Sequence, residues 1–409
     1  MELKIKIQDY SYELPDERIA KYPLPERDSS KILIFKDDVV SESKFSNLAE
    51  LLPRDSFMIF NNTKVVPARL FFKKVSGASI EIFCLEPNSP ADYATCFQTK
   101  GSCEYKCVIG NLKKWKEGPV FFDNHTENAQ VAELDLKAYL ISKEENDNIV
   151  RFEWNPTYTF SEMLSICGNL PIPPYLHRET EASDLERYQT TYAKFNGSVA
   201  APTAGLHFTE RVLDDIRKKS IGMETVCLHV GAGTFLPVKS EYVDDHRMHS
   251  EVFTVSRSLI EGLLKAEKEG KKIIAVGTTT TRTLESLYYL GVKLIETGKI
   301  IPVEQWEPYE REYNYSLEEA LSAIYSYLSQ NNLERFTTRT RIIIVPQFRP
   351  RVVDILITNF HQPQSTLLLL VSAFVGERWK DIYRYAMDNG FRFLSYGDSS
   401  ILWNHRKHI

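Results

Sequence analysis

The chain has 409 residues, 43% of them hydrophobic and 26% charged, a balance that builds packed cores and sets aside disordered and collagen-like classes. At roughly 100 to 200 residues per domain, two or three domains are expected. The net charge of −5 provides no global positive field to gather nucleic acid, so any RNA contact must rest on local basic clusters.

Residues 1–6 alternate charge with aliphatic side chains and lack the apolar stretch of a signal peptide. Phe57-Met58-Ile59-Phe60 predicts a strand that runs into Asn61-Asn62-Thr63-Lys64, polar groups placed near a domain junction where ligands favour binding. From residue 67 to 154 the apolar residues come in short runs between turn signals such as Ser76-Gly77, Lys116-Glu117-Gly118 and Asn146-Asp147-Asn148. Segments such as Ser79-Ile80-Glu81-Ile82-Phe83 alternate inward and outward side chains. The pattern predicts a small all-β barrel domain inserted into a large α/β domain made of residues 1–66 and 155–409.

After residue 198, short aliphatic strands are each followed by a polar turn and a helix-period stretch. Val199-Ala200-Ala201 predicts a strand leading to Pro202-Thr203-Ala204-Gly205-Leu206-His207-Phe208. Thr209 then caps a helix with Val212, Leu213 and Ile216 on one face, ended by Gly222. A strand over residues 224–228 leads to His229-Val230-Gly231-Ala232-Gly233-Thr234-Phe235. A helix over residues 258–269 precedes a strand over 272–276, which runs into Gly277-Thr278-Thr279-Thr280-Thr281 before a further helix beginning near Arg282. A strand over residues 352–357 ends in Thr358-Asn359-Phe360-His361-Gln362-Pro363, and Ser365 opens a helix to Val375 that is too short to span a bilayer. Such βα repetition predicts parallel strands with helical crossovers, in an open sheet or a distorted barrel, with function gathered at the carboxyl ends of the strands. All four polar turns are expected to converge on one cleft.

Those turns supply His207, His229, Asn359, His361 and the threonine run, and Asp245-His246-Arg247-Met248-His249-Ser250-Glu251 adds imidazoles and carboxylates for proton transfer. Gly231 and Gly233 form only GxG, and neither GxxxxGK[ST] nor GxSxG occurs. No metal is expected, because the HxxH of His246 and His249 lacks the HExxH context. The six cysteines lack CxxC spacing, which suits reduced thiols in a cytoplasmic protein.

At these residues the sequence resembles the S-adenosylmethionine:tRNA ribosyltransferase-isomerase family of queuosine biosynthesis. The matching strings include Tyr22-Pro23 with Arg27-Asp28, residues 61–70, Pro171-Ile172-Pro173-Pro174-Tyr175, and residues 200–208, 228–237, 246–251, 275–286 and 358–376. The resemblance implies a large α/β domain related to a distorted barrel, carrying a small inserted β-barrel domain. It implies an isomerising transfer of the ribosyl moiety of S-adenosylmethionine onto 7-aminomethyl-7-deazaguanine at the tRNA wobble position. The products are then epoxyqueuosine in tRNA, adenine and methionine. S-adenosylmethionine is a cosubstrate, no cofactor stays bound, no membrane is involved, and a monomer is the expectation.

Under that reading His207, His229, His249, Glu251 and His361 are the candidate catalytic residues. Asn61, Asn62, Lys64, Arg69, Thr203, Gly205, Phe208, Gly231, Gly233, Thr234, Phe235, Thr278, Thr279, Thr280, Thr281, Arg282 and Asn359 are the candidate substrate-binding residues. Phe208 or Phe235 would face the sulfonium, and Arg69, Lys73 and Lys74 would contact tRNA. Two features depart from the family pattern: Val345-Pro346-Gln347-Phe348 replaces its Tyr-Pro-Gly-Phe string, and residues 296–339 read as an insertion. The alternatives are a non-catalytic RNA-binding paralogue and an enzyme acting on a small nucleoside without RNA.

Overall fold

The computed structural model describes residues 4–124, 129–143, 148–231, 238 and 240–404. Nine strands form the large sheet, in the spatial order Arg335–Thr340, Glu251–Ser256, Gly222–Leu228, Ser56–Asn61, Lys272–Val276, Ile355–Asn359, Ser399–Trp403, Lys31–Lys36 and Val39–Lys44. The four central strands, from Gly222–Leu228 to Ile355–Asn359, run parallel. That is the consequence of helical crossovers, which bury both faces and favour continuous aliphatic runs such as Ile273-Ile274-Ala275-Val276. The flanking pairs are antiparallel, except that Lys31–Lys36 runs parallel to Ser399–Trp403.

Six antiparallel strands close the predicted barrel, in the order Asn148–Glu153, Ser102–Gly110, Ser79–Ser89, Arg69–Lys73, Val120–Phe122 and Lys137–Ser142. Every second side chain points inward: Leu70 and Phe72, Ile80, Ile82 and Cys84, Cys103, Tyr105 and Cys107, Val150 and Phe152 are buried. The Phe160–Cys167 helix joins this core through Phe160, Met163 and Leu164. All six cysteines are buried and free.

Element boundaries differ from the sequence reading in three places with identifiable causes. The strand before Pro202 is Phe195–Ser198, and Val199–Ala201 leave it as irregular backbone toward the cleft. The Glu210–Lys218 helix, capped by Thr209, ends through Ser220 at φ +62°, so Gly222 opens the next strand instead. The helix expected near Arg282 begins at Thr278 and takes in the whole threonine run.

The 296–339 tract completes the architecture. Its Leu317–Gln330 helix starts with a capping box between Ser316 and Glu319, and its Arg335–Thr340 strand forms one sheet edge. In the departing string, Val345 and Phe348 are buried in the main core and Gln347 is exposed. Among the described residues no helix is long and apolar enough to cross a membrane.

One buried carboxylate fixes two cleft-forming elements together. Glu285, on the Thr278–Thr297 helix, accepts from the amides of Arg351 (2.8 Å), Val352 (3.1 Å) and Val353 (2.9 Å), just before the Ile355–Asn359 strand. Glu285→Ala leaves those amides unanswered, and the expected loss is about 3 kcal/mol of stability, read from denaturant unfolding. A loss below about 1 kcal/mol would show that the clamp is not needed.

Candidate active site

All four predicted turns contribute to one cleft beyond the carboxyl ends of the parallel strands, the 229–235 turn through Val230. Residues 200–204, 277–279 and 358–362, with Tyr175 and Ser395, line a cleft with about 710 Å³ of empty space, the open solvent at its mouth included. Among the described residues its lining contains no Asp, Glu, Lys or Arg. At its edge Gly277 takes φ +91°, donates its amide to Ile357 O and turns the chain into a 20-residue helix. The first-turn amides of that helix have no acceptor within it, so its positive end faces the cleft.

The threonine run divides by function. The Thr280 and Thr281 hydroxyls donate back to Val276 O (2.7 Å) and Gly277 O (3.1 Å) and are fully buried, which makes them part of the helix. Thr278 and Thr279 line the cleft, as does Thr203. Asn61 donates to Leu228 O (3.0 Å) and Thr279 Oγ1 (3.4 Å) and accepts from the Leu228 and Thr63 amides, tying two strand ends to the helix. Asn62 donates to Thr225 Oγ1, and Lys64 is exposed. Gly205 packs so tightly that a Cβ there would lie 2.0 Å from the Tyr192 hydroxyl. Phe208 is corrected by the structure: its ring is fully buried against Phe45 and Phe60, a core position and not a wall of the cleft.

The histidines part company in the same way. His361 lines the cleft, and its Nε2 lies 2.9 Å from Thr358 Oγ1. Its Nδ1 has no partner among the described residues, and burial pushes its pKa down to about 3. His207 sits behind Asn359. Asn359 Nδ2 donates to Leu394 O and Ser395 O, so its Oδ1 must accept from His207 Nε2–H (3.0 Å), which leaves His207 Nδ1 to accept from Ser30 (2.8 Å). Both ring nitrogens are thereby occupied, and burial holds the imidazole neutral with a pKa near 4. His229 points the other way, stacked 4.2 Å from Tyr93 of the inserted region and paired with Thr63 Oγ1 at 3.0 Å; burial lowers its pKa to about 4. It belongs to the junction between sheet and barrel.

A second cavity, with about 590 Å³ of empty space including its open mouth, adjoins the cleft through the shared Leu367. Gly231, His246, His249, Glu251 and Arg282 contribute to its wall. Glu251 and Arg282 form a buried ion pair, and Arg282 Nε donates to Ile342 O (3.1 Å). His246 is lowered by burial and by the neighbouring His249. Among the described residues no group of three His, Cys, Asp or Glu side chains is placed to hold a metal ion. Gly233, Thr234 and Phe235 lie outside the described residues.

The three basic residues next to the 61–70 string differ in charge balance. Arg69 pairs with Glu81 at 2.5 Å and Lys73 with Asp123 at 2.9 Å. Lys74 instead donates to Lys114 O (3.1 Å), bringing two basic runs together at one end of the barrel.

The family model described as queuosine biosynthesis protein matches residues 7–402. The chain belongs to this family. Similar members of the queuosine biosynthesis family are the S-adenosylmethionine:tRNA ribosyltransferase-isomerases of Halothermothrix orenii, 37% identical with 97% of this chain and 100% of the relative covered, and of Treponema denticola, 35% identical with 97% and 99% covered. The chain is also similar to the crystal structure of S-adenosylmethionine tRNA ribosyltransferase from Thermotoga maritima, at 26% identity and a TM-score of 0.46, covering 96% of this chain and 99% of that one.

Sequence reasoning passed over Ser30, Tyr175, Glu285 and Ser395 in this family member. Tyr175 lies in the Pro171–Tyr175 string and hydrogen-bonds Ser395 (2.6 Å) at the cleft edge, so that string carried the signal. Ser30 follows Arg27-Asp28 but bonds a histidine 177 positions away, a pairing no local pattern shows.

Proposed function

We propose that this chain transfers and isomerises the ribosyl moiety of S-adenosylmethionine onto 7-aminomethyl-7-deazaguanine at the wobble position of tRNA, giving epoxyqueuosine with release of adenine and methionine. Membership of the family, and the names of relatives aligned over nearly their full length, support the reaction class. The observation that carries the site assignment is a cleft whose described lining has no charged side chain and includes one histidine with a ring nitrogen unpartnered among the described residues. The chemistry asks for a base to take a proton from the carbon beside the sulfonium, for a neutral attacking amine, and for support as adenine departs. His361 is the base in this reading. Thr203, Thr278, Thr279 and the helix amides orient the nucleoside, while Asn61, His207 and Asn359 hold the turns in register. Residues 67–154 form the inserted domain, and the rest of the chain forms the catalytic domain of a cytoplasmic enzyme.

Incubation with S-adenosylmethionine and precursor-bearing tRNA tests the proposal, with adenine followed by chromatography and the nucleoside by mass. Absence of both products rejects it. Product formed equally well from the free deazaguanine would point to a small-molecule enzyme. For tRNA contact the expectation centres on Lys74, the one of the three cations here that pairs with no carboxylate among the described residues. Lys74→Ala should lower the slope of log binding constant against log salt by about 0.7 to 0.9, and Arg69→Ala and Lys73→Ala by less. An unchanged slope in Lys74→Ala removes this end of the barrel from the interface.

A further inference from the structure

The proposed donor has two unlike ends, an uncharged nucleoside and a zwitterionic amino acid, and the site has two unlike compartments. The cleft carries no charged side chain among the described residues, whereas the adjoining cavity contains the Glu251–Arg282 pair. Arg282 is 4% exposed, and its Nη2 has no partner among the described residues. An unpaired guanidinium nitrogen in a buried position is costly unless a ligand answers it.

A second feature favours an anion at the same place. Thr366 and Leu367, the first residues of the 10-residue Thr366–Val375 helix, both line this cavity. The Leu368 and Leu369 amides turn back to Ser365, so the two amides ahead of them lie before the first intrahelical bonds, at the positive end of the helix. Met248, Ile343 and Leu370 supply apolar wall for a methylene chain.

We propose that this cavity receives the aminocarboxylate end of the sulfonium donor, with Arg282 and the helix amides taking the carboxylate and Glu251 facing the ammonium. The assignment rests on the donor named above. It makes Arg282 a specificity-determining residue that separates a donor with a carboxylate from one without.

Calorimetric titration of the full-length protein tests this with S-adenosylmethionine and its decarboxylated analogue, which keeps the adenosine, the sulfonium and the ammonium. The wild-type protein should bind the decarboxylated compound at least about tenfold more weakly. Arg282→Gln should bring the two affinities within about threefold of each other while the circular dichroism spectrum is retained. Should that variant fail to fold, the wild-type ratio decides alone, because equal affinity for the two compounds overturns the anchor. If neither sulfonium binds, the donor reading falls and the anchor falls with it, an outcome distinct from equal binding.

Discussion

His361→Ala is expected to slow adenine release in single turnovers by about 10²- to 10⁴-fold, the usual contribution of a positioned general base. The expectation follows from the hydrogen-bond inventory around the imidazoles. An imidazole has two nitrogens, and one must be free to accept the substrate proton. His207 spends both, on Ser30 and Asn359, and His229 also spends both, on Thr63 Oγ1 and Cys227 Sγ (3.8 Å), while its ring is stacked on Tyr93 away from the cleft. His361 lines the cleft, spends one on Thr358, and keeps the other without a partner among the described residues. With its pKa lowered to about 3 by burial, His361 is unprotonated throughout the neutral range. The kcat/KM profile should therefore show no His361 limb near pH 6.5. His229→Phe, which preserves the ring stack, should leave the single-turnover rate within about threefold of wild type. A folded His361→Ala variant that also stays within threefold would remove this residue from the chemistry.

How much of this was readable beforehand depends on whether a feature is local. The barrel announced itself through alternation, as in Ser79–Ser89, where Ile80, Ile82 and Cys84 face inward. The parallel strands announced themselves through aliphatic runs followed by polar turns. The 277–279 and 358–361 turns accordingly meet, because carboxyl ends of neighbouring parallel strands lie side by side, whereas 200–204 arrives from Phe195–Ser198, which pairs with Thr63–Val65 outside the large sheet. The direction in which a turn side chain points was not readable. His229 follows the Gly222–Leu228 strand as His361 follows Ile355–Asn359, yet one faces the barrel and the other the cleft. A one-residue difference in where a strand stops reverses a side chain. The threonine run was read as a ligand loop, but helix geometry sends the hydroxyls of Thr280 and Thr281 back to carbonyls four residues earlier. The Ser30, Glu285 and Arg282 interactions join residues far apart in the chain and needed coordinates.

The same three imidazoles predict acid sensitivity. His207, His229 and His361 are held neutral in the folded protein, with pKa values of about 4, 4 and 3, against about 6.5 in the unfolded chain. A histidine whose folded pKa is depressed adds no pH dependence above 6.5, where both states are neutral. Below 6.5 the unfolded chain gains a proton that the folded protein refuses, so stability falls with falling pH until the folded pKa is reached. Each residue should cost about 2 kcal/mol at pH 5 relative to pH 7, on the order of 6 kcal/mol for the three, a large share of the roughly 5 to 15 kcal/mol available to a folded domain. Carboxylates act in a lower window: Asp184 is held low by Arg178 and the Glu181 amide against the upward push of burial, so its contribution is lost only as pH falls below the ordinary carboxylate range. Urea midpoints at pH 7, 6 and 5 should therefore drop before carboxylates titrate. His207→Gln keeps a donor for Asn359 and an acceptor for Ser30 but cannot take up a proton, and should remove about a third of the fall between pH 7 and 5. A midpoint that stays flat over that interval would mean that these rings titrate inside the folded protein, and the neutral, fully bonded His207 that holds Asn359 in place would have to be given up with it.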